Sequence, residues 1–300
     1  MRKYILNYAN VLFLAAVAVA LFFTPTRQIE SPAAYIVVLC LTQALYLTAY
    51  IRTGKKSARD IAGIVFAILI IWDICARRGM GNTVLIPPAE NVFNVFITER
   101  SLMLEGVWSS MKLLFFGVGA ALILGVGLGL VVGWIPRVRE TVLPIANVIS
   151  PIPPLVYTPY VVAAMPTFKA ASVFVIFMAV FWPTFQNMVT RVGSIDRKII
   201  QSAQVMNVST PAMIFRVILP YCKPGILTSL NASMRAALLC LTGAELLGAT
   251  SGLGYFVKKF SDFANYTKVL AGIILMGVVV TLLSMLLKFI QKKTVKWNYT

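Results

Sequence analysis

The sequence contains no histidine, and only ten of its 300 residues are Asp or Glu. Without histidine the chain lacks the commonest general base and metal ligand near neutral pH. With so few carboxylates as well, it is poor material for an enzyme. Four cysteines (Cys40, Cys75, Cys222 and Cys240) show neither metal-ligand spacing nor the framework of a disulfide-stapled module. Three of them, Cys40, Cys75 and Cys240, lie in or at the end of apolar runs, where a thiol packs as a small hydrophobe. Charged residues make up 12% of the chain, against roughly 25% in soluble domains. Hydrophobic residues reach 59%, and the mean hydropathy is +0.84. Too little polar surface remains to dissolve such a chain, and disorder needs the opposite composition. These numbers leave an all-α, polytopic membrane protein.

What charge there is has one dominant sign, +17 net. The basic residues cluster in short loops between apolar runs, so they read as topology determinants and not as a nucleic-acid face. A span needs about 20 mostly apolar residues. Eight runs qualify: Tyr4–Phe23, Ala33–Ile51, Ile61–Ala76, Trp108–Trp134, Val142–Met165, Ser172–Val192, Pro224–Leu247 and Val269–Ile290. Arg2 and Lys3 precede the first run as in a signal peptide. Leu21-Phe22-Phe23 offers no small-residue cleavage site, so an uncleaved span is expected. Most Lys and Arg fall on alternate segments such as 52–59, 137–139, 191–223 and 288–296, which places both termini in the cytoplasm. Arg77-Arg78 on the opposite side is a local violation of that rule.

Two long polar stretches do not span. Gly79–Gly106, on the outer side, carries an amphipathic piece (Val92, Phe93, Val95 and Phe96) expected to lie along the bilayer interface. Gly193–Lys223, on the inner side, reads as two short helices around a break at Asn207. The first runs from Ile199 to Met206. The second runs from Pro211 to Leu219 and is stopped by Pro220, with Ser209 or Thr210 as its cap. Loops of this length in compact proteins usually carry function.

That inner loop resembles the signature of the inner-membrane permeases of binding-protein-dependent ABC importers: Glu-Ala-Ala, three residues, Gly, nine residues, then Ile-x-Leu-Pro. Here the register gives Gln201-Ser202-Ala203, Asn207 and Val217-Ile218-Leu219-Pro220, with both spacings intact. Gln201, Ser202 and Asn207 depart from the pattern. Asn is the next-best residue after Gly at a turn needing positive φ, whereas Gln201 loses the charge of Glu. Leu85-Ile86-Pro87-Pro88, the proline-rich run Pro151–Pro159, and Lys223-Pro224-Gly225 followed by Arg235, Ala244-Glu245 and Gly252-Leu253-Gly254-Tyr255 are similar to the nitrate/sulfonate/taurine branch. The first two spans have no counterpart in the usual six-span subunit. The C-terminal six helices resemble the permease core, and the domains so implied are two extra helices at 1–56, a span plus interfacial segment at 57–107, the permease core at 108–291 with its coupling loop at 193–223, and a cytoplasmic tail at 292–300.

The resemblance implies a permease in a bacterial inner membrane, transporting a nitrate-, sulfonate- or taurine-like anion or a heterocyclic vitamin precursor. It implies a second permease copy, two cytoplasmic ATPase subunits, an extracytoplasmic solute-binding protein and surrounding membrane lipid as partners. Gln201, Ser202, Ala203, Met206, Asn207, Ser209, Thr210, Pro211, Leu219 and Pro220 would contact the ATPase. No cofactor is expected in this chain, with ATP and Mg held by the partner. The only Gly-Lys pair, Gly54-Lys55, lacks the upstream glycine of a P-loop. Tyr157, Tyr160, Gln186, Asn187, Asn231, Arg235 and Glu245 are candidates for the substrate pathway. Ionisable groups in a span must face protein or water, although neutral polar side chains also join helices and Glu245 has a structural reading as an anchor of the Gly-rich outer loop. Asp73, four residues before Arg77, reads as a structural pair. The competing class is a secondary transporter or channel driven by an ion gradient.

Overall fold

A computed structural model describes residues 7–24, 29, 31–82 and 84–294. The expectations at Arg2, Lys3, Tyr4 and Lys296, and the end of the tail, lie outside the described residues. Among the described residues the regular structure is helical, without strands. In chain order the helices are α1 (Tyr8–Phe22), α2 (Ala33–Thr53), α3 (Lys56–Arg77), α4 (Ala89–Thr98), α5 (Arg100–Trp134), α6 (Pro136–Ile149) and α7 (Pro154–Ala164). They continue as α8 (Phe168–Gly193), α9 (Arg197–Val205), α10 (Thr210–Met213), α11 (Leu219–Gly248), α12 (Leu253–Asp262) and α13 (Tyr266–Thr294). The chain divides into two compact units, Met1–Leu104 with Phe256–Ile274, and Glu105–Tyr255 with Leu275–Thr300.

In the first unit, α1 buries an alanine face (Ala9, Ala16 and Ala20) in a core shared with Ala62 and Phe66 of α3. Small residues let helix backbones approach closely when no water is present to drive association. Tyr35 of α2 stacks on Phe93 of α4 with ring centroids 5.7 Å apart. Val92, Phe93 and Val95 are buried within the unit. The apolar side of α4 is filled by Tyr35 and Trp72, and the Trp72 indole N–H donates to the Pro87 carbonyl at 3.0 Å. The pair expected at Asp73 and Arg77 is present at 2.9 Å and fully buried, and Arg77 also bonds Glu90, which the spacing argument missed. With two carboxylates and the Ala20 carbonyl around it, Arg77 is neutralised inside the fold. That removes it from the count of exposed loop charges.

In the second unit, four glycines of α5 meet α8. A Cβ at Gly117 would lie 2.6 Å from Ile176 Cγ2, one at Gly129 2.6 Å from Met188 Cβ, and one at Gly133 2.7 Å from Val192 Cβ, while Gly125 faces Thr184 and the Phe181 carbonyl. Gly119 and Gly127 have open space instead. The four-residue recurrence therefore makes one groove on α5 into which α8 fits. Ile176 and Val180 of α8 are buried in one core with Val118 and Ala121 of α5 and Leu230, Ala237 and Leu241 of α11.

Five helical segments are long and apolar enough to cross a membrane, namely Ala33–Thr53, Arg100–Trp134, Phe168–Gly193, Thr210–Gly248 and Tyr266–Lys293. With the bent pair α6 and α7 counted as one further span, the described residues give up to six of the eight expected spans. Among the described residues α1 has 15 helical residues, and Arg59, Asp60, Asp73 and Arg77 keep α3 too charged. The expected span Val142–Met165 is not one helix. It is split between α6 and α7, bent by 91° at the Ser150–Pro153 break, where prolines remove backbone donors. A second correction concerns Pro220, which does not stop its helix. Ile214–Ile218 form a π-helical stretch running straight into α11, and the wider π turn relieves the clash a proline ring makes with the carbonyl four residues back.

Candidate functional site

The inner loop is organised by its own backbone chemistry. Asp196 caps α9 by accepting the Lys198 N–H at 2.9 Å. At the other end Asn207 takes the left-handed conformation, φ 51°. The Val208 N–H bonds the Ala203 carbonyl at 3.2 Å and the Asn207 N–H bonds the Gln204 carbonyl at 2.9 Å. Those two bonds form a Schellman closure with the left-handed residue at its C′ position, where Gly is commonest and Asn next. Ser209 then precedes α10, although its hydroxyl makes no capping bond, and Pro211 occupies the first turn.

The turn is fastened from beneath. Ala203, Met213, Ile218 and Cys222 are buried together with Met188 and Val192 of α8 and Leu130 of α5. Above them Gln201, Ser202, Met206, Asn207, Ser209, Thr210 and Pro211 are exposed. Of the residues expected to contact an ATPase, Ala203 therefore faces inward, and Leu219 and Pro220 already belong to the long helix. Val205, 83% exposed beside Met206 at 75%, was not singled out by the motif, whose spacing skips it. Val205 and Met206 thus stand outward on a turn whose underside is buried against α8 and α11.

The pathway candidates separate into three kinds. Gln186 donates to Asn147 of α6 at 2.9 Å and Asn231 donates to Gln291 of α13 at 2.5 Å, so these two amides join helices, whereas Asn187 accepts from Arg191 one turn on in α8 at 2.9 Å. Tyr157 packs with Val161 and Cys240. Tyr160 (78% exposed) and Arg235 point outward. Arg235 sits near the middle of α11, about 24 Å from Leu219 and about 20 Å from Gly248 along the axis. Among the described residues it has neither an ion pair nor a hydrogen bond.

Glu245 is the opposite case, 1% exposed. Its carboxylate accepts from Ser110 of α5 at 2.6 Å and from the Gly254 N–H at 2.6 Å. Ser110 in turn accepts the Leu253 N–H at 2.9 Å, and Ser109 bonds Ser251 at 2.8 Å. Gly252 at φ 131° lies against the same carboxylate, where a Cβ would overlap it. This constellation ties the Gly252–Gly254 loop to α5 and leaves Glu245 no open side within its unit.

Comparison with known proteins places these features. The family described as "Binding-protein-dependent transport system inner membrane component" matches residues 121–296, more than half of the chain. The taurine transport system permease protein TauC of Escherichia coli is 28% identical over 243 residues, covering 79% of this chain and 88% of its own. The nitrate import permease protein NrtB of Leptolyngbya laminosa is 26% identical over 282 residues, covering 91% and 96%. Among solved structures, a chain of the inward-facing MetNI methionine ABC transporter superposes with a TM-score of 0.56 at 16% identity, over 66% of this chain and 99% of that one.

Proposed function

The chain belongs to the binding-protein-dependent transport system inner membrane components and is an ABC importer permease subunit; from that premise we propose that it conducts a small oxyanion and couples to its ATPase through the turn at Asn207. The observation that carries the coupling reading is the anchored knob. Ala203 and Met213 hold it from within while Val205, Met206 and the residues of the family motif face outward. A push on such a knob reaches α8 and α11 directly, because the buried side of the turn is continuous with both. Two copies of the chain, two ATPase subunits and an extracytoplasmic binding protein complete the proposed assembly, with the knob and both termini on the cytoplasmic side. ATP and Mg are held by the ATPase.

The oxyanion reading rests on Arg235. A charge in mid-membrane facing lipid costs roughly 2.5–3.5 kcal/mol on insertion scales. Its open face on α11 is therefore assigned to water or the second copy, with Tyr160 of α7 on the same route. The names of the taurine and nitrate relatives agree with an anion. Asn207→Val tests the coupling. A β-branched residue resists left-handed φ by about 1–2 kcal/mol, so this variant reaches the membrane normally but recovers little ATPase on affinity purification and loses substrate-stimulated ATP hydrolysis. Asn207→Gly keeps both. Equal ATPase recovery for Asn207→Val and the parent would remove the turn from the coupling path.

A further inference from the structure

We propose that the second unit holds a phospholipid with an ethanolamine head group against α5, a reading that uses the orientation proposed above. Two adjoining hollows carry it. An apolar groove of about 650 Å³ is walled by Phe115 and Leu122 of α5, Met234 of α11, and Leu283 and Leu287 of α13. It runs from Trp108 to Leu122, about 21 Å along α5, enough to take one acyl chain through a leaflet roughly 15 Å deep, half of the hydrocarbon core. At the Trp108 end it meets a polar hollow of about 610 Å³, to which Trp108, Lys112 and Phe116 are common. That second hollow adds Glu105, Ser109, Lys169 and Ser251.

The charges select the head group. Lys112, its ammonium 5.1 Å from the Trp108 ring, and Lys169 supply two cations for a phosphate. Glu105 supplies one carboxylate for an ammonium. None of the three is in an ion pair among the described residues. With both lysines on the phosphate, a glycerol head group brings no cation of its own to Glu105 and an ethanolamine does, so the site prefers ethanolamine. A Trp and two Lys at the outer ends of α5 and α8 also lie where head groups lie. The same zwitterionic chemistry exists in a free aminosulfonate, but only a lipid also fills the apolar groove.

The complex, purified in mild detergent and examined by native mass spectrometry after exposure to mixed phosphatidylethanolamine and phosphatidylglycerol, tests this. The parent retains phosphatidylethanolamine. Lys112→Gln/Lys169→Gln retains it about 30-fold less, following the contribution of each lysine near a lipid surface, and Glu105→Gln turns the preference toward phosphatidylglycerol. Lys258→Gln, at a lysine paired with Asp262, changes neither. Unaltered retention in both the double variant and Glu105→Gln overturns the proposal. So does displacement of the lipid by millimolar taurine, which makes the hollow a substrate subsite, or complete disulfide formation between copies through Phe116→Cys, which makes the groove a subunit interface. Loss of ATPase coupling in the Asn207 variants does not bear on these outcomes.

Discussion

Truncating Glu245 to alanine would remove the one acceptor shared by α5 and the Gly252–Gly254 loop. Two donors lose their partner: the Ser110 hydroxyl and the Gly254 N–H, both 2.6 Å from the carboxylate and both buried. An unsatisfied buried donor costs about 1–3 kcal/mol, so Glu245→Ala should destabilise the protein by roughly 2–6 kcal/mol. Glu245→Gln is milder. Its amide oxygen accepts the Gly254 N–H, and its NH2 donates to Ser110, whose oxygen has a lone pair beyond the one used by the Leu253 N–H. What is lost is the charge assistance and the outlet for the Ser110 proton, about 1–2 kcal/mol. Thermal unfolding in detergent, followed by fluorescence-detected size exclusion, should rank parent above Gln above Ala. Transport per assembled complex should hold in the Gln variant, because the carboxylate has no open side. An alanine variant as stable as the parent would refute the argument, as would a Gln variant that assembles normally yet no longer transports.

Gly129→Leu should lower stability by about 1–3 kcal/mol through overpacking against Met188 and the Phe185 carbonyl, whereas Gly127→Ala, which meets open space, should leave the melting profile unchanged; equal behaviour of the pair would mean α5 and α8 do not meet there. Arg77→Met leaves Asp73 and Glu90 buried without their cation and should cost about 3–5 kcal/mol, seen as loss of folded protein after extraction. Adding Asp73→Asn and Glu90→Gln should restore most of it. Arg235→Gln should cut uptake of a sulfonate or nitrate at least severalfold in reconstituted vesicles with complex recovery unchanged; uptake equal to the parent would take Arg235 off the route.

Composition alone determined the class of this protein, because 59% hydrophobic and 12% charged residues leave no soluble solution. Local chemistry fixed further details that the fold left intact. Asn207 at a turn needing positive φ, the i,i+4 pair of Asp73 and Arg77, and the break near Pro151–Pro154 are all set within a few residues of themselves. What crossed from one helix to another was not legible. Glu90 joins Arg77 from thirteen residues away, and Ser110 reaches Glu245 across 135 residues. No periodicity along the chain encodes which distant donor will face a carboxylate. The same holds for Arg235 and Glu245, alike in the sequence as charges on one apolar run. Only packing decided that Glu245 is enclosed against Ser110 of α5 and Arg235 left open, because which side of α11 meets its neighbours depends on residues of α5 and α8 far away in the sequence.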